Sequence, residues 1–115
     1  MKLIEVKDTL KCDVVYGHEK LGHEVFVGCG SDLMSDVLAF IKPSALLLTG
    51  LTNIQSVRTA DIADVRAIVY VRGKTPDSRA LELAKEKGIP LLTTKYMMYE
   101  ACGRLYAAGL KGSLE

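Results

Sequence analysis

Apolar positions along this chain follow two rhythms. Short unbroken apolar runs alternate with longer stretches in which apolar side chains recur every three or four positions, the signatures of buried strands and amphipathic helices. Residues 2–10 place Leu3, Val6 and Leu10 on one side of a short helix. Cys12-Asp13-Val14-Val15-Tyr16 reads as a strand closed by Gly17, residues 18–22 as a polar turn, and residues 24–29 as a second strand. Ser31 stands where a helix over 32–41 needs an N-cap, with Leu33, Val37, Leu38 and Ile41 as its expected buried stripe and Pro43 as its stop.

The second part of the chain is more regular. Residues 45–49 form an all-apolar strand of the kind covered on both faces. Thr52-Asn53-Ile54-Gln55 fits a capping box and predicts a helix to about Thr59, with a further turn through Asp64. Residues 67–71 are a β-branched strand. Thr75-Pro76-Asp77 starts a helix to Lys87, with Thr75 as its expected cap and Gly88 as its end. Residues 90–93 give another strand, after which Thr94 is the expected cap of a last helix running to about Ala108. The repeated strand–helix order with short links implies right-handed crossovers. The fold class is therefore α/β, a mostly parallel sheet with helices packed on it. The first two strands join that sheet or extend it in antiparallel fashion.

Size and charge narrow the functional classes. The 115 residues support one domain, expected over 1–112, with 113–115 a tail whose Leu114-Glu115 ending fits an expression-vector remnant. Fifteen basic against fourteen acidic side chains leave a net charge of +1, which argues against a broadly basic nucleic-acid binder. Wholly apolar runs such as residues 45–48 reach at most five residues, far below the roughly 20 residues of a membrane span. Glu5 arrives too early for a signal peptide, so a cytoplasmic setting is expected. Three separated cysteines without a CxxC predict neither a disulfide framework nor a zinc site, and neither metal nor cofactor is expected.

In an open parallel sheet, ligands bind beyond the carboxyl ends of the strands. Four such ends supply Gly28, Gly30, Ser31 and Asp32; Thr49, Thr52 and Asn53; Arg72 and Lys74; and Thr94 with Lys95. Backbone N–H groups with Arg72, Lys74 and Lys95 would suit a phosphate or carboxylate. Strand-to-helix loops also need Gly, Thr and Asn simply as caps and turns, which is the plainer reading of any single loop. The Gly28-Cys29-Gly30-Ser31 turn begins like a dinucleotide fingerprint, but Leu33 stands in place of its third glycine, and no Walker-type phosphate loop is present. Asp32 and Asp36 read as helix-dipole partners, and His18 and His23 as surface residues. No nucleophile with an adjacent base is visible, so catalytic residues are not expected. Cys29 reads as ordinary packing, with a redox thiol at a helix N-terminus as the alternative; Cys12 and Cys102 read as core filling.

The last helix is unusually apolar. Tyr96, Tyr99 and Tyr106, with Gly103 between them, fall at spacings of 3, 4 and 3, while Met97, Met98, Ala101, Cys102, Leu105 and Ala108 cover much of the rest. A small domain cannot bury such a helix on all sides, and a homodimer contact through the tyrosines is expected.

The run from Leu21 to Val37, above all Ser31-Asp32-Leu33-Met34-Ser35-Asp36-Val37, resembles the DRTGG domain family. So do Thr52-Asn53-Ile54-Gln55-Ser56-Val57, residues 67–76, the Gly88-Ile89-Pro90-Leu91-Leu92 strand entry and Ala101-Cys102-Gly103-Arg104-Leu105. Where the name-giving Asp, Arg, Thr and first Gly of that family would stand, this chain has Gly22, His23, Phe26 and Val27, and only Gly28 survives. Any role of the Asp–Arg pair elsewhere in the family is therefore not carried over. The resemblance implies a fold similar to the N-terminal domain of HPr kinase/phosphorylase. It also implies a regulatory or assembly module, often at a dimer interface, of the kind found between CBS modules in regulatory pyrophosphatases. The expected function is a non-catalytic regulatory or scaffolding domain, homodimeric, acting through a partner protein or small ligand. The alternative is a sensor that binds an anionic metabolite or adenine nucleotide at the strand ends.

Overall fold

The computed structural model describes residues 1–113; the Leu114-Glu115 ending lies outside them. Helix α1 (Leu3–Leu10) leads into β1 (Asp13–Tyr16), a single 3-10 turn over His18–Lys20, and β2 (Val27–Gly30). Then follow α2 (Met34–Phe40), β3 (Ala45–Thr49), α3 (Ile54–Ile62), β4 (Ala67–Tyr70), α4 (Ser78–Lys87), β5 (Leu91–Thr93) and α5 (Met98–Ala107). The five strands form one sheet in the order β1-β5-β4-β3-β2. Strands β2 to β5 are parallel to their neighbours and β1 runs antiparallel to β5 at the edge. The predicted α/β class with a mostly parallel sheet is the observed one. Of the predicted strand over 24–29, the first part instead makes only a single bridge, between Lys2 and Glu24.

Alternation along the central strands splits the core in two, as the period of two requires. Leu46 and Leu48 of β3 with Val69 of β4 face α1 and α5, where Leu3, Val6, Leu10, Ala101 and Leu105 close the first core. Leu47 with Ile68 and Tyr70 face α2, α3 and α4, where Val37, Val57, Ala60, Ala80 and Ala84 close the second. All five residues of β3 are buried, as a doubly covered strand demands.

Helix starts differ from the sequence reading at four places, each time because a loop side chain finds a nearer partner. Ser31 Oγ accepts from the Leu33 N–H at 3.1 Å, a local turn that delays α2 to Met34. Met34 and Val37 are therefore the buried residues of α2, Ile41 is half-buried, and the expected stripe members Leu33 and Leu38 are 58% and 46% exposed. Asn53 rather than Thr52 caps α3, its carboxamide oxygen accepting from the Gln55 N–H. Asp77 rather than Thr75 caps α4 through Ala80. Thr94 does not cap α5 at all: its hydroxyl donates to the Leu10 carbonyl at 2.7 Å and ties β5 to the end of α1. The glycine stop of α4 is observed, with Gly88 in the left-handed region at φ 71°.

Candidate functional site

Beyond the carboxyl ends of β2, β3 and β4 the loops meet around one carboxylate. Asp32 Oδ1 accepts from the Thr49 hydroxyl at 3.1 Å and from the Gly50 N–H at 2.6 Å. Thr49 Oγ1 in turn accepts from the Leu51 N–H at 3.1 Å. Arg72 Nη2 stands 4.0 Å from Asp32 Oδ2, and Lys74 Nζ donates to the Gly50 carbonyl at 3.2 Å. The Arg72 guanidinium lies directly over Gly50, where an added Cβ would collide with it. Of the residues expected at the strand ends, the structure gathers Asp32, Thr49, Arg72 and Lys74 into one cluster. Of the side chains expected to receive an external anion, however, Arg72 already faces the chain's own Asp32 carboxylate and Lys74 the Gly50 carbonyl. A cleft of about 420 Å³ opens beside this cluster, lined by Gly30, Ser31, Asp32, Arg72 and the Met97-Met98-Tyr99 entry to α5.

The other predicted residues serve the fold. Gly28 gives its N–H to the Lys111 carbonyl at 2.8 Å and is covered by Leu110. A Cβ on Gly30 would approach Cys102 Sγ to 2.6 Å, so this glycine lets α5 sit close to β2. The Thr52 carbonyl accepts from the Asp77 N–H at 3.0 Å, linking the entries of α3 and α4. Thr94 is buried and occupied as described.

The thiols are not activated. Helix α2 starts five residues after Cys29, so no helix N-terminus acts on it as expected from sequence. Burial pushes the Cys29 thiol up, with Cys102 and then Asp36 adding to the shift. Burial also raises Cys102, and it drives Cys12 up to about 12. Cys29 packs into the second core and Cys102 against the first, on opposite faces of the sheet.

Helix α5 is amphipathic rather than apolar all round. Ala101 and Leu105 are buried, while Tyr99 is 89% and Tyr106 50% exposed on its outer side. Tyr96 precedes the helix; it is half-buried and its ring lies under the Arg104 guanidinium at 4.3 Å. The outer face of α5 from Met98 to Ala107, with Gly103 at its middle, borders an open groove of about 1020 Å³.

A second cleft at the same edge of the sheet joins residues that the sequence places at strand ends, Thr75, Thr93, Thr94 and Lys95, to Lys11 and Asp13, which it does not. It has a volume of about 530 Å³ and draws on Lys11, Asp13, Thr75 and Thr93 as well as Thr94, Lys95 and Tyr96. The first three belong to chain segments separated by more than sixty positions, and no local signal joins them. Among the described residues no cluster of three or more His, Cys, Asp or Glu could hold a metal ion, and no helix is long and apolar enough to cross a membrane.

Residues 5–108 match the DRTGG domain family along nearly the whole chain. This chain belongs to the DRTGG domain family. No curated protein sequence matches it. Among solved structures, its fold is similar to the CBS and DRTGG domains of the regulatory region of Clostridium perfringens pyrophosphatase, a structure complexed with the activator diadenosine tetraphosphate. The TM-score is 0.74 at 20% identity, over 90% of this chain and 45% of that one. The DRTGG fold is thus shared, and this chain spans less than half of that protein's regulatory region. The signature positions that depart from the family lie away from the clefts: Gly22 and His23 sit in the turn after the 3-10 segment, and Phe26 is exposed before β2.

Proposed function

We propose that this DRTGG domain is a non-catalytic regulatory or scaffolding module, homodimeric through the outer face of α5, that acts on a partner protein or small ligand in the cytoplasm. One observation carries the reading. Gly103 stands in the middle of α5, where glycine costs about 0.5–1 kcal/mol relative to alanine. A Cβ there would meet nothing within 4 Å, so the protomer itself has no need of the glycine. Flanked by the exposed Tyr99 and Tyr106, it leaves a notch in an apolar face wide enough for a second helix to approach closely. Likeness in fold to part of a regulatory region supports the same reading. Light scattering tests it. The expected mass is that of two chains for the wild type and one chain for the Tyr99→Glu/Tyr106→Glu variant. A monomeric wild type at high micromolar concentration overturns the dimer.

The sensor reading has its own support. The structurally similar regulatory region was solved with a dinucleotide activator, and the strand-end clefts of this chain carry cations. Thermal shift with AMP, ATP and diadenosine tetraphosphate tests it. A ligand at a hundred times its dissociation constant adds about 2.7 kcal/mol of stability, and the absence of any shift overturns the sensor.

A further inference from the structure

The side of the sheet on which each helix packs decides where a ligand crevice can open. Helices α2, α3 and α4, which follow β2, β3 and β4, all close the second core. Helix α5, which follows β5, crosses to the first. Two backbone hydrogen bonds still join the loops leaving β4 and β5, Arg72 N–H to the Tyr96 carbonyl at 2.8 Å and Gly73 N–H to the Thr94 carbonyl at 2.9 Å; beyond them the chain goes to opposite faces and leaves a gap of the kind in which parallel sheets form ligand crevices. The 530 Å³ cleft lies in that gap, with Gly73 and Thr75 from the β4 side and Thr93, Lys95 and Tyr96 from the β5 side. Its volume is within the range of small-molecule sites.

The cleft also holds polar groups that the fold leaves unused. Thr93 is only 9% exposed, and its hydroxyl has no hydrogen-bond partner among the described residues. No fully buried side-chain oxygen there lacks a partner, so this hydroxyl opens to the cleft it lines. Lys11 and Lys95 both border the cleft, and among the described residues neither is engaged in an ion pair, whereas Arg72 and Lys74 of the neighbouring cluster are committed to Asp32 and Gly50. Lys11 moreover occupies a left-handed position, φ 53°, at the end of α1, where glycine would be the least strained residue. The chain keeps an ammonium at the rim in spite of that strain. Asp13, on the same rim, is a hydrogen-bond acceptor suited to hydroxyl groups.

We propose that this cleft, rather than the Asp32–Arg72 cluster, binds a phosphorylated, hydroxyl-bearing metabolite of the sugar-phosphate type, free or as part of a nucleotide. Lys11 and Lys95 hold the phosphate, Thr93 donates to it, and Asp13 accepts from a sugar hydroxyl. The proposal rests on the sensor reading and names its site.

Calorimetric titration of the full chain with AMP, ribose 5-phosphate and adenosine tests it. AMP or ribose 5-phosphate binds, distinguishing the nucleotide from the free sugar phosphate as source, and adenosine does not. Lys11→Gly and Lys95→Met each weaken binding about tenfold, the loss of one charge-assisted contact. Lys11→Gly at the same time raises the melting temperature, which a residue serving only the fold would not do. Arg72→Ala with Lys74→Ala leaves the affinity unchanged. Binding that survives both cleft variants but is lost with Arg72 and Lys74 overturns the cleft and keeps the sensor. Equal binding of adenosine, or binding of neither phosphate compound at millimolar concentration, overturns the proposal.

Discussion

Single residues here are best understood by what a neighbour does to them. Gly50 and Gly17 are both glycines that a Cβ would crowd, yet the two differ physically. At Gly50 the obstacle is the end of the flexible Arg72 side chain; at Gly17, with φ 98°, it is the backbone and ring of Pro90 at 2.8–2.9 Å. Gly50→Ala should therefore displace Arg72 and cost about 1 kcal/mol or less, and adding Arg72→Ala should cost nothing further, because both remove the same contact. Gly17→Ala has no such escape and should cost about 2 kcal/mol or more. Urea denaturation of the three variants checks both statements. Cys12 gives a pH dependence with a defined sign. Burial raises its folded pKa from 9.0 to about 12, so the folded state holds the neutral thiol. That stabilisation is complete below pH 9 and is lost as pH rises from 9 toward 12. The melting temperature should fall across this window, and more gently in Cys12→Ala. If the two slopes are equal, Cys12 is not the titrating group.

Elements were legible where one chemical signal dominated. The all-apolar run of β3, the β-branched run of β4 and the glycine after α4 each left a single reading, and each is observed. Helix starts were not legible, because several capping residues lay side by side. In Thr52-Asn53 and Thr75-Pro76-Asp77 the choice depends on which side-chain oxygen reaches the N–H groups, and that is settled in space. Leu33 is exposed because it precedes the helix, and Leu38 because it lies about 100° round from Val37, off the face that Met34 and Val37 bury. Helix α5 shows what an element can disclose once its faces are known. The tyrosine spacing was visible in the sequence, but the freedom around Gly103 was not. Gly103→Ala should stabilise the isolated fold by about 0.5–1 kcal/mol through helix propensity. Gly103→Leu should keep the fold and dissociate the proposed dimer by filling the notch. Thermal melts combined with light scattering separate these effects: a Gly103→Leu protein that remains dimeric would move the interface away from α5.

At the scale of the whole molecule, the sequence carried the strand–helix order and hence the sheet, but not the face on which each helix lies. That depends on Leu105 joining Leu48 in the first core and Val57 joining Leu47 in the second, which no local pattern specifies. The candidate site followed the same division. Asp32, Thr49, Arg72 and Lys74 belong to loops that any parallel sheet brings together, whereas the cleft of Lys11 and Thr93 exists because α5 crosses the sheet and α1 ends beside it. Among the described residues the sheet is also the only layer that touches both cores, so the two cores share its backbone when the protein unfolds. Leu47 and Leu48 are adjacent in β3, both are 2% exposed or less, and they point into opposite cores. Each substitution to alanine should cost about 2–5 kcal/mol. If the cores were independent, Leu47→Ala would loosen only the α2–α4 layer and Leu48→Ala only the α1–α5 layer. Because every buried residue of β3 belongs to a strand whose backbone bonds support both faces, loss on either side should lower one shared transition instead. Far-ultraviolet and near-ultraviolet circular dichroism should therefore give coincident melting curves in both variants. Separated curves in either one would show that the two layers unfold independently.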